Sequence, residues 1–188
     1  MAAGGLSTLR VLVAPGLQSS GPDHWQSRWQ RLHPGFTRIE QDNWNEPDLA
    51  AWSARVDQVR AQQQRPTLVL AHSFGALATV HSVARDPTWI AGLLLVAPAD
   101  PDKFDLASQL PHGRLPCPSI MLGSSNDPWM AADHAESWAA RWGSEFANLG
   151  ALGHINAESG LGDWPEGQRW LYKLAELAHN ESPTILVD

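Results

Sequence analysis

The chain has 188 residues, 43% hydrophobic and 18% charged, enough apolar material for one domain with a buried core. Its formal net charge of −7 is spread along the sequence without a Lys/Arg cluster, which argues against nucleic-acid binding because phosphate would be repelled. A single cysteine closes no internal disulfide, no apolar run is long enough to span a membrane, and residues 1–10 lack the basic and apolar regions of a secretory signal. A cytoplasmic protein without membrane contact is expected.

In chain order, residues 1–8 are small and polar and read as a loose end. Residues 10–14 read as a strand, apolar throughout after Arg10, as in a strand buried on both faces of a parallel sheet. A turn-rich loop, 15–22, precedes a helix from about Asp23, with Ser20 or Asp23 as its cap and Trp25, Trp29 and Leu32 at helical spacing. Pro34-Gly35 ends it, residues 36–40 alternate as a strand, and 48–63 form a second helix with Leu49, Trp52, Val56 and Val59 on one stripe. Strand 67–70 and helix 75–85 follow, then strand 90–97, a long loop 98–116, strand 118–123, helix 130–142 and a weaker strand 145–149. Pro165 or Glu166 opens a last helix to about His179, and 182–188 is a tail. Six strands alternating with helices, without a repeat or linker, predict a single domain over 1–188. Its expected form is α/β: a mostly or wholly parallel sheet between two helical layers. Sites in such folds lie outside the carboxyl ends of the strands.

One junction carries chemistry. Ala71-His72-Ser73-Phe74-Gly75 is small-x-Ser-x-Gly between an apolar strand and a helix, the context of a nucleophile elbow. Ala71 and Gly75 remove bulk that would collide around so sharp a turn. The helix beginning beside Ser73 turns its N-terminal N–H groups to where an oxyanion would form.

Such a serine needs a base, and the base an orienting acid. Of eight histidines, only His154 follows the last strand, in a Gly-flanked loop at the carboxyl edge. His72 adjoins the serine and should point away from its reacting side. The acid should fall between Ser73 and His154 in sequence; Asp127 fits, with Asp100, Asp102 and Asp105 as alternatives on the preceding loop. The loop Pro15-Gly16-Leu17-Gln18 can supply the Leu17 N–H as a second oxyanion donor beside that of Phe74. Trp44, Trp129 and Trp164 fall on carboxyl-edge loops, where they either line a substrate pocket or cap the core. Cys117 lies between two prolines, away from this edge, and reads as a small buried residue. No His-Glu-x-x-His, cysteine pair, Gly-x-Gly-x-x-Gly or P-loop is present, so neither a metal nor a nucleotide cofactor is expected.

Longer segments are more specific. Ser20-Gly21-Pro22-Asp23-His24-Trp25-Gln26, the elbow, Gly153-His154-Ile155-Asn156-Ala157-Glu158-Ser159-Gly160 and Trp164-Pro165-Glu166-Gly167 resemble the retinoblastoma-binding protein 9 (YdeN-like) family of small serine hydrolases. The resemblance implies a compact α/β-hydrolase fold without the first antiparallel strands or a lid domain. It carries the family's nucleophile onto Ser73, its acid onto Asp127 and its base onto His154. The family takes its name from binding a tumour suppressor; the Leu-x-Cys-x-Glu type motif expected for that contact is absent, and the partner is not carried over. The expectation is a carboxylesterase-like serine hydrolase acting on small esters, or amides, without a cofactor. The alternative is a catalytically idle α/β-hydrolase domain that binds a protein or ligand.

Overall fold

A computed structural model describes residues 5–181. Six strands form one sheet in the order β2-β1-β3-β4-β5-β6, every neighbouring pair parallel. They are β1 (Arg10–Ala14), β2 (Thr37–Arg38), β3 (Thr67–His72), β4 (Ile90–Val96), β5 (Ser119–Gly123) and β6 (Glu145–Asn148). The central strands are buried at every residue, which is why their interiors are apolar runs rather than alternating, with polar residues only at their ends.

Alternate residues of each central strand serve two separate cores. Leu12, Val69, Leu93 and Met121 face α2 (Leu49–Arg60), α3 (Phe74–Arg85) and α4 (Ala132–Trp142). Val11, Val13, Leu68, Leu70, Leu94 and Ile120 face α1 (Trp25–Leu32) and α5 (Pro165–Asn180). The result is the three-layer α/β sandwich expected, with the compact arrangement of an α/β hydrolase. No helix among the described residues is long and apolar enough to cross a membrane.

The order places one topological switch. From β1 the chain steps outward to β2, then returns to the other side of β1 as β3. The crevice between the carboxyl ends of β1 and β3 is where such sheets bind ligands. Ser73 sits at that point.

The boundaries differ from expectation at the ends of elements. Only Thr37–Arg38 pairs as β2 of the expected 36–40, because an edge strand needs few ladder bonds to be held. Helix α1 starts at Trp25 and is capped by His24, whose Nδ1 accepts from the Gln26 N–H. Neither Ser20 nor Asp23 does this; the Ser20 hydroxyl is instead committed to the Gln26 side chain at 2.6 Å. The start of the chain is less loose than expected, since Leu6 and Leu9 pack on the α1/α5 core. Of the segments 1–8 and 182–188 expected to be loose, residues 1–4 and 182–188 lie outside the described residues.

Candidate active site

The elbow is tight in a measurable way. Ser73 has φ 53° and ψ −124°, a left-handed backbone that a non-glycine residue adopts at a cost of order 1–3 kcal/mol. It is held between strand and helix: its N–H donates to Val96 and its carbonyl accepts from Ala76. The glycine two positions on is obligatory, because a Cβ at Gly75 would stand 2.3 Å from the Pro15 carbonyl oxygen. The loop after β1 passes directly over the serine. A Cβ at Gly16 would lie 2.7 Å from the Ser73 Cβ and 3.3 Å from its Oγ.

That loop is itself constrained. Gln18 and Ser19 both have positive φ, and the Gln18 N–H donates to the Trp44 carbonyl at 2.8 Å. Leu17 packs against the core that contains Phe74. Phe74 is the first residue of α3, so its N–H has no acceptor within the helix. The sequence-predicted donors Leu17 and Phe74 therefore belong to the two segments that meet at Ser73.

Ser73, His154 and Asp127 come together from three loops. The Ser73 hydroxyl donates to His154 Nε2 at 3.0 Å. His154 Nδ1 lies 2.9 and 3.0 Å from the two oxygens of Asp127. An ionised carboxylate only accepts, so the Nδ1 carries the hydrogen and Nε2 is left to receive the serine proton. The Asp127 side chain is 2% exposed and that of His154 11%, so their contact is largely out of water.

The His154 loop is fixed from both sides. His154 stands between Gly153 and Ile155, both with positive φ. From the β5 loop, Asn126 Oδ1 accepts from the Gly153 N–H and Ser124 Oγ from the Leu152 N–H. From α1, Trp25 Nε1 donates to the Ile155 carbonyl. Beyond it, Asn156 and Ser159 form a capping box that closes a short helical turn, Ala157–Ser159. The Trp129 N–H donates to Asp127 Oδ1, which aims the acid.

Residues 24–26 and 72 act here in a way that sequence reasoning missed. His72 is the last residue of β3 and faces the opposite side of the sheet from the elbow helix, as expected. Its Nε2–H donates to the His154 carbonyl at 2.9 Å, and the two rings are 4.9 Å apart. His24 packs edge-on against His72 at 4.7 Å. Burial drives the His72 imidazole well below its ordinary pKa, and the neighbouring His24 and His154 add to this. Burial, then Arg38 and His154, takes His24 down to about 3. Both rings are therefore neutral under His154. Gln26 Nε2 donates to the carbonyls of Ala14 and Leu70, near the carboxyl ends of β1 and β3 at the switch. The visible signal was the run His24-Trp25-Gln26; nothing local in it tells what the side chains reach.

The three loop tryptophans separate. Trp129 is 59% exposed, with its ring 6.5 Å from that of His154. It lines a cavity of about 380 Å³ together with His154. Trp44 is half-buried, edge-on to Trp52, which in turn packs edge-on to Phe74. Trp164 departs from the pocket reading: it is 3% exposed and packs between Trp25 and Trp29. An aromatic at the mouth of a helix is drawn into the nearest aromatic core, here that of α1.

The alternative acids lie elsewhere. Asp100 and Asp102 face His134 of α4, with Asp102 Oδ2 3.0 Å from its Nε2. These three side chains could share a cation, their ligand atoms lying within 4.8 Å of one another, but their pairing already ties the turn Pro101–Phe104 to α4. Asp105 is an exposed left-handed residue ending that turn. Cys117 is half-buried, and burial pushes its thiol up to about 12, which leaves it no thiolate for nucleophilic work.

Comparison with known proteins gives the arrangement a context. A family model described as serine hydrolase matches residues 11–173. The chain is similar to a protein described as a YdeN-like hydrolase from Pectobacterium atrosepticum, with 37% identity, 93% of this chain and 95% of that one covered, and a TM-score of 0.90. It shares its fold with the ydeN gene product of B. subtilis, at 16% identity, 90% and 100% coverage and a TM-score of 0.73. The same holds for a hydrolase of the α/β superfamily from Xanthomonas campestris pv. campestris, at 15% identity, 91% and 97% coverage and a TM-score of 0.59. No curated protein matches the chain.

Proposed function

The chain belongs to the serine hydrolase family, among its small YdeN-like members, and from that premise we propose that it cleaves small carboxylic esters, or amides, through an acyl-enzyme on Ser73. The observation that carries the reading is the unbroken relay Ser73 Oγ, His154 Nε2, His154 Nδ1 and Asp127, with contacts of 2.9–3.0 Å.

In the proposed reaction, Ser73 Oγ attacks the substrate carbonyl as its proton moves to His154 Nε2. Asp127 holds the Nδ1–H tautomer and stabilises the imidazolium that forms. The carbonyl oxygen, now an anion, is met by the Phe74 and Leu17 N–H groups, each such donor being worth about 2.7–4 kcal/mol in the transition state. The bond to the leaving group breaks, and His154 returns the proton to it. Water then attacks the acyl carbon as it loses a proton to His154, and the bond to Ser73 Oγ breaks as His154 passes that proton to Oγ, releasing the acid and restoring the enzyme.

The reading extends to substrate size. A chain of 188 residues leaves little length for a large lid, and on that ground short acyl groups are preferred over long lipid chains. The test is a series of p-nitrophenyl esters from acetate to palmitate, with Ser73→Ala as background. Turnover that is saturable, highest at acetate or butyrate and lost in Ser73→Ala supports the reading. Palmitate as the best substrate would remove the size preference, and turnover equal to that of Ser73→Ala would remove the hydrolase itself.

A further inference from the structure

The cavity beside His154 is lined by an exposed indole and a carboxylate. Trp129 is by far the most exposed tryptophan of the chain, yet its backbone is fixed at both ends. Its N–H is bound to Asp127 Oδ1 at 2.9 Å, and its carbonyl accepts from Lys103 Nζ at 2.7 Å. An indole whose backbone is anchored to the acid of the relay, and which lines the same cavity as His154, stands where a ligand bound at that cavity would meet it. The cavity, about 380 Å³, is lined besides by His154, Leu152, Asn156 and Glu158. Glu158 is held in place by its backbone N–H, which donates to Asn156 Oδ1. Among the described residues its carboxylate makes no ion pair.

This inference rests on the serine hydrolase reading above. In that reaction the departing atom takes its proton from His154 Nε2, so the leaving group lies on the His154 side of Ser73. We propose that the Trp129–Glu158 cavity is the leaving-group subsite, and that it selects esters whose leaving alcohol carries a positive charge, such as an alkylammonium alcohol. An indole face and an unpaired carboxylate in one cavity are the two groups that attract an organic cation, by cation–π and by Coulomb attraction. An anionic leaving group would meet Glu158 and a chain of net charge −7. Acyl transfer balances without a further reactant: the Ser73 Oγ–carbon bond forms, the carbon–oxygen bond to the alcohol breaks, and the serine proton passes through His154 to the leaving oxygen.

The experiment compares two acetate esters of equal shape, that of choline and that of its uncharged carbon isostere 3,3-dimethylbutanol. The readout is the ratio of their kcat/KM values, which cancels any general loss of activity. That ratio is expected to fall roughly threefold in Glu158→Gln and in Trp129→Leu, and about tenfold in the double variant. In the unmodified protein it should also fall as salt rises, a measurement that needs no variant to fold. A ratio unmoved by both substitutions and by salt, while a small fluorophosphonate still labels Ser73, overturns the subsite and leaves the hydrolase reading standing. Absence of labelling and of turnover with either ester in the unmodified protein overturns both.

Discussion

His154 has two unlike sides. Beneath it lie His72, His24 and Trp25, their ring centroids 4.7–6.3 Å apart. Their polar atoms reach backbone: His72 to the His154 carbonyl, Trp25 to the Ile155 carbonyl. On its other side lie an exposed tryptophan, a free carboxylate and a cavity of about 380 Å³. The buried side is made of aromatic groups kept neutral, the open side of groups that can meet a solute. The contrast separates two tasks that one loop performs. Where the imidazole stands is fixed from below, by contacts that no substrate touches. What the imidazole serves is left to the rim.

Substitutions can break that division in order of size. The largest effect should come from the relay itself. Asp127→Asn leaves the shape nearly intact but lets the imidazole take the wrong tautomer, and kcat should fall about 10⁴-fold. A loss of less than tenfold, measured on a short ester, would mean that Asp127 does not orient the base. Next comes the buried side. His72→Phe keeps the ring and removes the donor to the His154 carbonyl, and should lower kcat roughly ten- to hundredfold with KM little changed. His72→Gln, which restores an N–H at similar reach, should recover much of the loss. Equal damage from both variants would assign His72 to packing alone.

The same buried side should write itself into stability against pH. His24 and His72 bind protons more weakly in the folded chain than in the unfolded one, whose ordinary value is 6.5. As pH falls, the unfolded chain takes up protons first. Stability from this source is thus fully present above pH 6.5 and is lost as pH drops toward about 3, the His24 value. The slope is up to about 1.4 kcal/mol per pH unit for each proton. Urea unfolding at pH 4, 5, 6 and 7 should show a shallower slope in His24→Phe; an unchanged slope would mean that the histidine layer is not the source. The smallest effect belongs to the open side, where Trp129→Leu should shift leaving-group preference by only a few-fold, with the fold unmoved.

The division also explains what could be read from the sequence. The four central strands were legible because a parallel sheet buried on both faces leaves apolar runs, and the edge strands β2 and β6, only partly buried, were placed by weaker local patterns and by their alternation with helices. Ser73, His154 and Asp127 were reachable by strand order and loop position, and the structure brings their side chains together. The supporting layer was not. His72 contacts a loop 82 positions away, and His24 borrows a capping role that sequence rules assign to Ser20 or Asp23. Of the two readings open for Trp164, the structure takes core packing over pocket lining, and its place on a loop could not tell which core it falls into. Contacts made across the sheet by single polar atoms leave no period in the chain.

The central claim is that Ser73 is a nucleophile activated by His154. A fluorophosphonate probe followed by peptide mass mapping tests it most directly. The account predicts one adduct on Ser73 in the unmodified protein, none in Ser73→Ala, and labelling slowed by orders of magnitude in His154→Ala. No adduct on the unmodified protein, or equal labelling of Ser73→Ala, would contradict it.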